Sequence, residues 1–97
     1  MGWLGLKFSH SSYKTDVVPL TGTLEKLSEL QIKTWTYKKN RPYSDGQCYL
    51  GPMAEDVKRV FGVGDGSTLD VFDLIGIVLS AIKKIGSEVK ELKSNHQ

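Results

Sequence analysis

The chain predicts an α+β fold: a small sheet with short helices and a long C-terminal helix. Three observations carry this expectation. Residues 33–37, Lys-Thr-Trp-Thr-Tyr, alternate and are rich in β-branched and aromatic side chains, which suits a strand. Aliphatic residues from Val71 to Leu92 recur at spacings of four and three, the period of a long amphipathic helix. Gly- and Pro-bearing stretches between them punctuate the chain into short elements.

Taken in order, residues 1–8 read as extended, and Ser9 to Tyr13 is polar and reads as a turn. Lys14 to Leu20 carries Val17-Val18 and Pro19, the composition of a short edge strand. Thr23 can cap a short helix over Leu24, Leu27 and Leu30, with Glu25 in its first turn. After the Lys33–Tyr37 strand comes a polar loop, Lys38 to Gly46, and then a second short strand, Gln47 to Gly51. Pro52 suits the first position of a helix, Met53 to Phe61 continues it, and Gly62 stops it. Gly62 to Thr68 is a turn, and Asp70 is a natural N-cap for the last helix.

That last helix has Val71, Ile75, Val78, Ile82, Ile85, Val89 and Leu92 on one seam. Six of the seven are Ile or Val, and Ile at both seam positions favours a trimeric coiled coil. Glu88 and Lys93 fall at positions g and e, where neighbouring chains can pair charges. Phe72, Leu74, Ile77 and Leu79 lie off the seam, so the first half is expected to be buried in the globular body and the second half to project. A lone helix packed on its own domain is the competing arrangement. A chain of 97 residues buries a modest core, and oligomerisation is one way to stabilise it.

Composition excludes several classes. Thirteen basic and eleven acidic residues give a net charge of +2, too mild for a nucleic-acid or anionic-membrane binder. Residues 1–8 are too short and interrupted for a signal peptide, and the longest nearly apolar run, Leu74 to Ile82, falls well short of the roughly 20 residues that span a bilayer. A soluble protein is expected. Cys48 is alone, so no internal disulfide forms, and as a strand residue it reads as a packed thiol. No Cys/His cluster has metal-ligand spacing, and no cofactor is expected. Gly62-Val-Gly-Asp-Gly66 lacks the Lys-Ser/Thr of a phosphate loop, and residues 65–70 lack the oxygen ligands of a calcium loop. Trp35 and Tyr37 could form a stacking platform but suit packing better, and Lys38 to Arg41 reads as a solvated loop.

Three stretches resemble one family. Ser9-His-Ser-Ser-Tyr-Lys14-Thr-Asp-Val17 is similar to the opening motif of the intramolecular chaperone domains. These lie at the C-termini of phage endosialidases, tail fibres and neck appendage proteins, with a relative in myelin regulatory factor. Trp35-Thr-Tyr37-Lys38 resembles the family's aromatic strand, and Tyr49-Leu-Gly-Pro-Met-Ala-Glu-Asp-Val57 with Phe61-Gly62 its helix start. The terminal aliphatic helix matches too, so the resemblance runs from residue 9 to about 92.

The resemblance implies a domain of residues 9–97 that helps a β-rich upstream passenger to fold and trimerise, then cuts itself free. Residues 1–8 would be a remnant of that passenger or an expression start. Carried over, the scissile bond is Phe8–Ser9, Ser9 is the nucleophile and Lys14 the general base, a serine-type peptidase acting in cis. The family usually has an acidic residue after the serine, where this chain has His10. The implied setting is the cytoplasm of a bacterial host during phage assembly, with release from the mature virion protein. The alternative is a trimerisation module without chemistry, in which Ser9 and Lys14 are incidental.

The chemistry sets conditions. A serine hydroxyl needs a base to take its proton, and a lysine serves only when neutral. An ordinary lysine, with a pKa of about 10.4, is neutral well under ~0.1% of the time at pH 7. Desolvation favours the neutral form, at a cost a packed trimer bears more easily than a lone small domain. Residues five apart do not face each other on a helix or strand, so a turn at His10 to Tyr13 is needed. Ser11 and Ser12 are competing nucleophiles. His10 reads as a surface histidine and His96 as an inert tail residue.

Overall fold

The structure, a computed structural model, describes residues 8–95. The extended reading of residues 1–7 and the tail reading of His96 lie outside them. The described chain is α+β: helices α1 (Thr23–Leu27), α2 (Ala54–Phe61) and α3 (Val71–Asn95), and strands β1 (Lys33–Trp35) and β2 (Tyr49–Gly51). A single 3₁₀ turn, Ser11–Tyr13, precedes them.

The expected strand over Lys14–Leu20 is absent, and these residues are exposed without regular structure. Two valines beside a proline supply strand propensity, but a strand needs a partner, and among the described residues none lies alongside. Asp16 turns the chain here with φ 54°, a left-handed conformation that aspartate tolerates better than most residues.

The cap of α1 also differs from expectation. Gly22 takes the cap position at φ 71°, and Thr23 is the first helical residue, almost wholly buried. Its hydroxyl is drawn away from the helix end to Ser80 of α3, with Thr23 Oγ1 and Ser80 Oγ 2.7 Å apart. The helix stops before Leu30 because the Ser28 hydroxyl donates to the Glu25 carbonyl, and the chain tightens into turns.

Both strands form where expected and are shorter. They pair antiparallel with Lys33 opposite Gly51, Thr34 opposite Leu50 and Trp35 opposite Tyr49. The Trp35–Tyr49 pair stacks at 5.0 Å, and Tyr37 and Tyr43 join the cluster through edge contacts, so Trp35 and Tyr37 serve packing. The Trp35 indole N–H is buried with no acceptor among the described residues. Asp45 closes the loop into β2: it accepts from the Gln47 N–H and from the Tyr49 hydroxyl. Cys48 is exposed in the residue just before β2 and is not the packed thiol that strand membership implied.

Helix α2 starts at Ala54 after a Met53 cap, so Pro52 stands two residues ahead of the helix and not inside its first turn. Gly62 ends it as expected, with φ 72° and its N–H on the Lys58 carbonyl at 2.9 Å. Glu55 and Asp56 at its start, with Lys58 and Arg59 at its end, complement the helix dipole. The Gly62–Thr68 segment is a turn in which Asp65 accepts from the Ser67 and Thr68 N–H groups, each at 2.8 Å. Those donors hold the Asp65 carboxyl below its ordinary value. The loop's donors are thus occupied by its own carboxylate, which a phosphate would have to displace.

Asp70 caps α3, its carboxylate accepting from the Phe72 N–H at 2.8 Å. Helix α1 packs against both α2 and α3. Val57, Ile77, Ala81 and Thr23 are the buried residues at this junction. The first half of α3 is not buried all round, as its composition had suggested. Leu74, Ile77 and Ala81 face the body, whereas the seam lies about a quarter turn away on the helix. All seven seam residues are 44–65% exposed, and Phe72 and Leu79 are exposed as well.

Candidate functional site

Around Ser9 the local sequence makes its own turn. The Tyr13 N–H bonds the His10 carbonyl at 3.0 Å and the Lys14 N–H bonds the Ser11 carbonyl at 3.1 Å. Three residues of 3₁₀ helix advance the chain while reversing its side chains, which is the turn that residues five apart require. His10 caps this turn: its Nδ1 accepts from the Ser12 N–H at 3.1 Å. Histidine therefore does here what an aspartate or asparagine does at other helix starts.

The turn brings the Lys14 amine to the Ser9 hydroxyl. Lys14 Nζ donates to Ser9 Oγ at 2.9 Å. This is hydrogen-bond distance, the separation at which a neutral amine could instead accept the hydroxyl proton. His10 points elsewhere; its Nδ1 lies 2.8 Å from Ser12 Oγ. Of the competing serines, Ser12 is thus engaged with His10 and not with Lys14. Phe8, on the acyl side of the expected scissile bond, is 88% exposed. Its ring meets that of Tyr13 edge-on, with centroids 5.9 Å apart. Sequence reasoning assigned no role to Tyr13; the aromatic at position 13, five after Phe8, was the signal for it.

The whole turn is open. No helix or strand of the described residues packs on Ser11–Tyr13, and Ser9 and Lys14 are both exposed. Two grooves of about 620 and 720 Å³ lie elsewhere, one beside Trp35, Tyr43 and Met53, the other between α1 and α3 near Lys26 and Lys83. Neither is lined by Ser9 or Lys14. The expected seam residues stand together along α3, far along the chain from the turn, and form the largest run of exposed aliphatic side chains among the described residues. Among the described residues no group of His, Cys, Asp and Glu could hold a metal ion, and no helix is long and apolar enough to cross a membrane.

Fold and site together define a class: a small α+β domain with a lysine-bonded serine near its start and an aliphatic helix face left uncovered. One family model matches, described as the chaperone of endosialidase within the peptidase family S74, over residues 9–63. The chain belongs to that family, and its part in it is that of a chaperone domain. The match begins at Ser9 and ends at Val63, so it takes in the turn, the sheet and α2 but not α3. Searches of curated proteins and of solved structures returned no match.

Proposed function

We propose that this domain assists an upstream, β-rich passenger of the same polypeptide to fold and trimerise, and then releases itself by cutting the Phe8–Ser9 bond. The observation that carries the reading is the 2.9 Å contact between Lys14 Nζ and Ser9 Oγ. It joins the two residues that the family resemblance implicates, inside the stretch the family match covers.

The chemistry follows from the position of Ser9. Its hydroxyl is the nucleophile and its amide nitrogen is half of the scissile bond. Lys14, as the neutral amine, accepts the hydroxyl proton while Oγ bonds the Phe8 carbonyl carbon. The carbon–nitrogen bond then breaks and the nitrogen takes a proton back from Lys14. This leaves an ester between Phe8 and Ser9 Oγ. Water hydrolyses it to a Phe8 carboxylate, and the new chain begins with the Ser9 amine and a restored hydroxyl. Desolvation favours a neutral lysine, and in the single chain Lys14 is exposed. A neighbouring chain that covers the turn would supply that desolvation, so cleavage would follow assembly.

Assembly itself is supported by the uncovered seam of Val71, Ile75, Val78, Ile82, Ile85, Val89 and Leu92. Three chains meeting there would form a parallel coiled coil, with Glu88 and Lys93 placed to pair across chains. Residues 9–97 would then be the chaperone domain, residues 1–8 the trace of what precedes it, and the setting a bacterial host's cytoplasm during the assembly of a phage tail or fibre.

The test is a fusion with a trimeric β-rich passenger ahead of Trp3. The expected result is scission before Ser9, abolished by Ser9→Ala and nearly abolished by Lys14→Ala. Lys14→Arg should fail as well, since a guanidinium does not give up its proton in the accessible range. The passenger should trimerise in every case. A wild-type fusion that trimerises and stays whole would leave only a trimerisation module.

A further inference from the structure

The Tyr13 ring touches both neighbours of the serine. It meets Phe8 edge-on at 5.9 Å and 79°, and His10 edge-on at 5.9 Å and 65°. Phe8 carries the acyl group of the expected scissile bond, and His10 begins the stretch that returns Lys14 to Ser9. Tyr13 itself is held by its backbone bond to His10. Nothing else in the described chain restrains Phe8: it is 88% exposed and outside every helix and strand.

We propose that Tyr13 is a positioning residue for the self-cleavage, its ring holding Phe8 and His10 so that the bond between Phe8 and Ser9 stays within reach of the Ser9 hydroxyl. The inference rests on the reading of Ser9 and Lys14 as the reacting pair. Attack by a residue on its own preceding carbonyl demands a narrow set of backbone torsions. An exposed, unrestrained Phe8 would visit them rarely. Edge-to-face aromatic contact is favourable, and here it links the acyl side of the bond to the turn that carries the lysine. The role belongs to the ring and not to the phenol, and it makes an aromatic residue at position 8 part of the site's own specificity.

The experiment is cell-free synthesis of the full chain behind its passenger, following the appearance of the fragment that begins at Ser9. Tyr13→Ala should cut about three- to tenfold more slowly, the worth of one aromatic pair. Phe8→Ala should slow it to a similar degree, and the double variant should be hardly slower than either single one, since both remove the same contact. Tyr13→Phe should rescue the rate. Tyr13 is 68% exposed and packs on no other element, so helix content and melting should not change with any of these variants. If Tyr13→Ala cuts as fast as wild type while Ser9→Ala stays whole, the positioning role falls and the Ser9–Lys14 reading stands. Multiplied defects in the double variant, or a Tyr13→Phe as slow as Tyr13→Ala, would also overturn it. A wild-type chain that never cuts overturns both readings together.

Discussion

At the scale of single residues, the site depends on side chains that serve the backbone. His10 caps the 3₁₀ turn through Nδ1, the task an aspartate carboxylate performs at least as well. His10→Asp, which restores the family's usual residue, should therefore leave cutting unchanged or faster in the same fusion assay; a slower rate would mean the imidazole does more than cap. Asp65 gives a prediction in pH. Its carboxyl lies below the ordinary 3.8 because the Thr68 and Ser67 N–H groups donate to it. A carboxyl held low in the folded chain stabilises the fold fully above 3.8, and that contribution is lost as pH falls through the lower folded value. Melting followed from pH 5 downward should therefore show a loss that Asp65→Asn no longer shows. The Ser9–Lys14 pair was legible because family spacing named both residues and the polar composition between them permitted a turn. The Thr23–Ser80 bond was not, because its partners lie 57 residues apart and each reads locally as an ordinary hydroxyl.

Elements were legible where their signal is local. Asp70 before an apolar run and Gly62 after one are terminus signals in themselves, and both hold. Asp70→Ala should cost about 1 kcal/mol of stability in a denaturant titration. Gly62→Ala should cost about 1–2 kcal/mol, since an alanine pays for φ 72° even with nothing close enough to meet its Cβ. A Gly62→Ala chain of unchanged stability would mean α2 ends some other way. What failed was propensity without a partner. Val17 and Val18 looked like a strand, yet β structure depends on an adjacent chain, and the described residues supply none beside them. Cys48 was misread for the same reason: the strand stops one residue short of it. The apolar first half of α3 was read as buried all round because composition does not say which face meets the body.

For the molecule as a whole, exposed surface is the informative quantity. The chain exposes 8348 Å², against about 5,500 Å² expected of a compact monomer of its 10.8 kDa mass. Its radius of gyration is 17.1 Å, where a compact domain of this length has about 12–13 Å. The α3 seam contributes to that excess, since each of its seven residues is at least 44% exposed in the single chain. Burying that seam should therefore decide assembly: the wild type should sediment as a trimer at tens of micromolar, and Ile82→Asn or Ile85→Asp should give monomers or aggregates. The most direct test of the account is the native mass of the domain recovered after synthesis behind a trimeric passenger. The account predicts a complex of three chains, each beginning at Ser9 and 89 residues long, eight fewer than the 97 of the full sequence. Chains still joined to the passenger would contradict the cleavage, and a free 89-residue monomer would contradict the trimer.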